Sequence, residues 1–452
     1  MTESSPRLLS RWHAAALVAG SMVGVGIFLT PRLVAAATGT GWLYFGLWLA
    51  GAALALTGAL AVAELGAMVP QAGGDYVYLR LAYGDSLGFV YGWQSLLASF
   101  SGSIAAMAYG VPRYQGEALF GPDIHQQLFE LQVLDWKWAF HLDQAVALGL
   151  VWGLTALACR RVRVAGRAQL ALSGAVMGAL LLGAAWALVQ RHGRVQPAEA
   201  VVATPTGALQ AFVAVSFAYS GWNAAGYVAS EIEDPGRNLP FALGLATAAV
   251  GLLYLLLNAA FVLTLPDVAQ APDAGSATAS ALLGPAGGQV MAAIIAVAVT
   301  GAVLASIVTG GRIYYAMARQ GQFPVAAGQL HPRWQTPWLA LVGQATWVSV
   351  LILSSTFDEL LRWSGQSMLL LSVATVVAVP WLRRKYPDWA RPYRAPGHPW
   401  VAIAYCLACL LVFTACVRAK PWDGVVGLGT LAVGWLAGLV HGRRAQRKDV
   451  KE

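Results

Sequence analysis

Gly20-Ser21-Met22-Val23-Gly24-Val25-Gly26-Ile27-Phe28 places three glycines within seven residues in the middle of an apolar run. Each glycine costs about 1 kcal/mol relative to alanine inside a helix, so the stretch predicts a helix that is interrupted. Far along the chain, Ser216-Phe217-Ala218-Tyr219-Ser220-Gly221-Trp222-Asn223 puts hydroxyl, amide and glycine into a second apolar run. The first segment alone is explained equally well by close helix packing, because Gly20 and Gly24 form a GxxxG pair. Two breaks in matching positions favour a binding site. A broken helix frees N–H groups on one half and C=O groups on the other, and these can hold a carboxylate and an ammonium without a charged side chain.

Around the two segments the chain reads as membrane. Of 452 residues, 58% are hydrophobic and 11% charged, against about 25% charged in soluble domains. That excludes a water-soluble enzyme, and the 18 Trp exclude a disordered chain. Stretches free of Asp, Glu, Lys and Arg cover residues 12–31, 33–63, 86–112, 144–159, 168–190 and 200–230. Six more cover 238–266, 274–311, 334–357, 363–382, 395–417 and 424–442. About 20 apolar residues cross a bilayer as helix, so twelve spans are expected. The first opens a set of five and the sixth opens another, the arrangement of an inverted repeat.

With the N-terminus cytoplasmic, the 29 Lys and Arg divide 21 inside to 8 outside, which predicts two cytoplasmic termini. The net charge of +8 is therefore a topology signal, and no nucleic-acid partner is expected. The first apolar run is full length, so no cleavable leader is expected. Cys159, Cys406, Cys409 and Cys416 have no metal-like spacing with His, and all seven His lie in loops or at run ends. A polytopic membrane enzyme, the main rival class, needs an acid–base residue near its reacting bond, and no run supplies one. A channel or receptor is the second rival, separated by saturable flux. No metal or cofactor is expected.

The wording of the chain resembles the amino acid–polyamine–organocation transporters, most closely their L-type amino-acid branch. The matches begin with Gly24-Val25-Gly26-Ile27-Phe28, Thr30-Pro31, Ala63-Glu64-Leu65-Gly66 and Pro70-Gln71-Ala72-Gly73-Gly74-Asp75-Tyr76. They continue with Phe217 to Asn223, Glu231-Ile232, Asp234 to Pro240, Gly311-Arg312, Ala318 to Pro324 and Arg391-Pro392-Tyr393. The resemblance implies an all-α polytopic membrane protein of the LeuT-type fold, residues 1–452 forming one transmembrane domain. Its five-helix repeats are expected at 12–190 and 207–383, with helices 11 and 12 at 395–442.

It also implies that the substrate carboxylate rests on Gly24 to Gly26 and the amine on carbonyls of helices 1 and 6. Phe217 matches an aromatic gate, and Asn223 a position that organises the helix 6 break. Trp222 is read equally as a gate contact or as packing. The expected site is Met22, Gly24, Val25, Gly26, Phe217, Ser220, Gly221 and Asn223, without an ionisable side chain, which points to a neutral L-amino acid.

Two departures matter. Relatives commonly carry Ser where Val25 stands, so the carboxylate must rely on backbone N–H groups. Many also place Lys in helix 5, where this chain offers Gln169 and Ser173. Alternating access by exchange or facilitated diffusion is therefore expected ahead of proton- or sodium-coupled symport of amino acids or polyamines. Ser306 and Thr309 keep an ion site conceivable, although such hydroxyls commonly bond back to their own helix. Glu64 is read as structural, and Glu231, Glu233 and Asp234 as anchors of the helix 6–7 turn. Animal L-type relatives join a partner glycoprotein through a Cys between helices 3 and 4. Residues 112–142 contain none, so no disulfide-linked heavy subunit is expected, and the implied location is a bacterial inner membrane.

Overall fold

A computed structural model describes residues 7–133, 136–190, 203–354 and 357–449. Arg191, Arg194 and Lys451, which entered the charge balance, lie outside the described residues. The chain is a helical bundle. Its first half comprises α1 (Arg11–Met22), α2 (Gly26–Thr38), α3 (Trp42–Met68), α4 (Asp75–Tyr83), α5 (Asp85–Gln94), α6 (Phe100–Gly110), α7 (Gly116–Phe120), α8 (Leu142–Ala158) and α9 (Val162–Gln190). The second half comprises α10 (Pro205–Ala218), α11 (Ala224–Tyr227), α12 (Pro235–Thr264), α13 (Ala274–Leu283), α14 (Pro285–Arg319), α15 (Trp338–Ser354), α16 (Phe357–Lys385), α17 (Trp400–Ala419) and α18 (Pro421–Asp449).

Among the described residues, seven helices are long and apolar enough to cross a bilayer, and α1 with α2, bent by 44° at their break, makes an eighth if the pair is one span. The protein is an all-α polytopic membrane protein. Within the described residues, runs 86–112, 144–159, 200–230 and 334–357 are helical in shorter or interrupted pieces. The first of these contains a wide π-type turn at Ser95–Ser99, and a second, Val111–Gln115, straddles its end. The charge-based edge at residue 32 differs from the structure, because α2 continues through Arg32 to Thr38. Arg32 is exposed on that helix, where a long side chain can lie along apolar surface and keep its head in water.

The loop read without structure between α7 and α8 contains an antiparallel hairpin, β1 (Gln127–Val133) and β2 (Trp136–His141). Trp138 pins it to the bundle by donating to the Leu353 carbonyl at 2.8 Å. At the same end, Gln144 donates to Ile352 O and Gln115 to Asp273.

The opposite end is basic and tied by ion pairs. Glu64 at the end of α3 accepts two bonds from Arg383 of α16, at 2.8 and 2.6 Å, and one from the Ala395 amide at 2.7 Å. Glu231, after α11, takes a two-point contact from Arg312 of α14, at 3.1 and 3.2 Å. The N-terminal segment joins the same knot: Leu8 and Leu9 donate to Glu231 O, and Leu9 O accepts from Glu233. Glu64 and Glu231 thus each hold an arginine of a distant helix.

Removing one partner of a buried, hydrogen-bonded pair leaves the other charge stranded, at a cost of roughly 3–5 kcal/mol. Glu64 is only 2% exposed. We expect Glu64→Ala to lower the melting temperature of the detergent-purified protein clearly, and Glu233→Ala, at an exposed position, to leave it unchanged. Equal melting curves for the two variants would contradict this account of Glu64.

Candidate substrate site

The helix breaks lie at the positions the glycines and polar residues mark. α1 ends at Met22, and Val23, Gly24 and Val25 connect it to α2. α10 ends at Ala218, and residues 219–223 connect it to the one-turn α11. Gly221 makes this possible, with φ at +97° in the left-handed region that other residues rarely adopt.

The two breaks touch backbone to backbone. A Cβ on Gly26 would lie 2.8 Å from Ala218 Cα, and one on Gly221 would lie 2.6 Å from Ser21 O. Around Gly24 there is room: a Cβ there would meet only Ala302, at 3.9 Å. Gly26 and Gly221 are therefore required for the approach, whereas Gly24 leaves space beside it.

Tyr254 of α12, buried, bridges the two interrupted helices. Its hydroxyl lies 2.7 Å from Met22 O and 3.3 Å from Ala218 O, donating to the carbonyl ends of α1 and α10. Its ring sits in an aromatic cluster with Trp48 and Tyr219. Sequence reasoning missed Tyr254, because its partners are carbonyls in distant parts of the chain.

The remaining expected residues divide. Met22 is buried and Val25 is half-buried. Phe217, 46% exposed, and Ser220 both open outward at the end of α10. Trp222 instead packs edge-on to Tyr405 of α17, and a Cβ on Gly58 would run into its ring at 2.7 Å. That is the packing arrangement. Thr309 donates to Ala305 O at 2.8 Å, so its proton is used within its own helix, and Ser306 is half-buried beside it. On α9, Gln169 donates to Ser173, which donates to Ala16 O, while the Gln169 amide lies against Gly20. These neutral groups fasten α9 to α1 just before its break.

Asn223 does more than shape the break. Its amide donates to Asp75 Oδ2 at 2.7 Å and to the Tyr227 hydroxyl at 2.8 Å. Tyr227 and Tyr91 reach the same carboxylate oxygen, at 3.0 and 3.2 Å. Asp75 opens α4, in the connection between α3 and the next apolar run, and is 3% exposed. Burial pushes its carboxyl up to about 6, against the opposing pull of the bonds from Tyr227, Asn223 and Tyr91. Gly73 and Gly74, both at positive φ, turn the chain into α4, and the Gly73 amide donates to Tyr227 O at 3.0 Å. Asp75, Tyr91 and Tyr227 were not picked out as site residues from the sequence.

Apolar helices, two of them interrupted and meeting at a junction of backbone groups, define a membrane carrier for a small polar solute. The amino acid permease family model matches residues 9–430, and the chain belongs to that family. It is an amino-acid transporter of the amino acid–polyamine–organocation superfamily, and not an enzyme. The chain is 29% identical to the human large neutral amino acids transporter small subunit 2, over 436 residues covering 93% of this chain and 78% of that protein. It is 27% identical over 398 residues to the serine/threonine exchanger SteT of Bacillus subtilis, covering 86% of each. The human cystine/glutamate transporter is 25% identical over 427 residues, 93% of this chain and 82% of that protein.

The glycines generate a paired prediction. Overpacking a close contact costs roughly 1–3 kcal/mol, so Gly26→Ala is expected to lower thermal stability and transport together. Gly24→Ala, which meets nothing closer than ordinary contact distance, is expected to keep the wild-type melting temperature. A Gly24 variant less stable than the Gly26 variant would refute this geometry.

Proposed function

We propose that the protein exchanges neutral L-amino acids across a membrane by alternating access, the zwitterion being read by backbone groups at the two helix breaks. The observation that carries the reading is the uncharged junction itself. Gly24, Val25 and Gly26 supply amides at the start of α2, and the breaks at Met22 and Ala218 supply carbonyls. A carboxylate suits the N-terminal end of α2 and an ammonium suits the carbonyl ends, by the sense of the helix dipole. No Lys, Arg, Asp or Glu stands among Met22, Gly24, Val25, Gly26, Phe217, Ser220, Gly221 and Asn223. A charged substrate side chain would lack a partner among them. The names of the large neutral amino-acid transporter and the serine/threonine exchanger agree with this reading.

The arrangement proposed around the site has twelve crossings, with inverted repeats at 12–190 and 207–383 and two further helices at 395–442. Both termini face the cytoplasm, and the setting is a bacterial inner membrane. The basic residues clustered at the Glu64 and Glu231 end support that orientation. The absence of Cys from residues 112–142 supports transport without a disulfide-linked heavy subunit. In this reading Phe217 closes over the substrate, and Trp222 supports the break by packing.

Purified protein in liposomes tests the proposal. Uptake of labelled neutral amino acids is expected to require unlabelled neutral amino acid inside, and imposed proton or sodium gradients are expected not to drive accumulation into empty liposomes. Preference for arginine or glutamate, or ion-driven accumulation, would refute it. Phe217→Ala is expected to lose most exchange at an unchanged melting temperature, since a ring this exposed contributes little to packing. Parallel loss of stability and flux would make Phe217 an ordinary packing residue.

A further inference from the structure

The Asp75 cluster has a feature that packing does not require. The Asn223 amide and the Tyr91 and Tyr227 hydroxyls all converge on Oδ2, the two hydroxyls lying 2.5 Å apart so that one of their protons serves the contact between them, whereas Oδ1 is buried with no hydrogen-bond partner. An ionised carboxylate here has half its charge without a donor and, among the described residues, no Lys, Arg or His within ion-pairing distance. The titratable groups facing it are tyrosines: Tyr78 on α4, Tyr91 on α5, Tyr227 on α11 and Tyr405 on α17.

The charges on the helices packed around α4 are engaged or exposed. Arg80 pairs with Asp85, Arg312 of α14 with Glu231, and Arg383 of α16 with Glu64. Lys385 of α16 donates to Leu81 O and Ala82 O, and Arg319 and Arg384 are exposed. A proton is the one positive charge that fits. Placed on Oδ1, it removes the buried charge and leaves the polar contacts on Oδ2 in place.

The cluster also joins parts that alternating access must separate. Asn223 and Tyr227 flank the lower half of the interrupted helix α10–α11, and Asp75 and Gly73 belong to the connection after α3. In the arrangement described, α11 seals Asp75 from water. Moving α11 away removes two donors and admits water, in which a carboxylate ionises readily. The closed arrangement therefore holds the proton more tightly than the open one, and by linkage the proton holds the arrangement closed.

We infer that Asp75 is a proton-binding site that latches α11 against α4, so that protonation slows opening at this end of the transporter. Because the proton enters and leaves at the same end, it tunes the exchange rate without driving accumulation. The inference rests on the exchange reading above and deepens it.

The test is neutral amino-acid exchange in proteoliposomes with equal pH on both sides, scanned from pH 5 to pH 8. Wild-type exchange is expected to rise several-fold across the range. Asp75→Asn keeps an oxygen acceptor for Asn223 and the tyrosines but cannot ionise, and is expected to exchange slowly at every pH. Tyr227→Phe keeps the ring against Gly74 but withdraws one donor from the carboxylate, which disfavours ionisation, so its profile is expected to shift to higher pH. The second variant keeps the inference testable should Asp75→Asn fold poorly.

A wild-type profile that is flat, or an Asp75→Asn profile that keeps the wild-type pH dependence, overturns the inference. So does an unshifted Tyr227→Phe profile. Absence of neutral amino-acid exchange at any pH counts against the exchange reading instead, so the two failures are distinguishable.

Discussion

Interrupted helices inside a membrane need somewhere to put the backbone groups they free, and that requirement organises this molecule. An unpaired buried carbonyl costs roughly 1–3 kcal/mol, and hydrocarbon offers no water to relieve it. Here the carbonyl ends of α1 and α10 share one phenolic proton from Tyr254. One donor serving two acceptors at unequal distances leaves polar capacity unused. In the proposed site, a substrate ammonium would supply what the protein withholds.

The surrounding structure is built to tolerate such a weak centre. Glu64 and Arg383 clamp α3 to α16, Glu231 and Arg312 clamp the end of the sixth run to α14, and both pairs are two-pronged. Gln169 and Ser173 fasten α9 to α1 with neutral bonds. Both two-pronged pairs thus lie at one end, while the breaks themselves meet through glycine-scale van der Waals contact and a few neutral hydrogen bonds. Contacts of that kind can exchange partners at small energetic cost, which a packed core of large side chains cannot do.

How much of this was legible beforehand follows the range of the interactions. Gly20 to Gly26 and Ser216 to Asn223 announce their breaks locally, because glycine and mid-run polar groups act on the chain where they stand. The helical runs were legible for the same reason. Arg32 misplaced one edge because a single charge at a helix surface can reach water without ending the helix. Asp75 was quoted only as part of a motif, since its burial is created by α11, roughly 150 residues away in the chain. Tyr254 was one tyrosine among 15, and its partners are backbone atoms that no side-chain pattern reports. The hairpin at Gln127–Val133 and Trp136–His141 escaped notice because a short strand pair leaves only a weak alternation.

The parallel contact between Leu9 and Ile232, with the bonds linking Leu8, Leu9, Glu231 and Glu233, has a mechanical meaning. It splices the entry to α1 onto the exit from α11, so the half-helices on that side of both breaks are geared together. The path between them runs through the short turn at Ala229–Glu231 and the two residues that precede α1. A half-turned intermediate, with one hinge sprung and the other seated, would have to tear that splice.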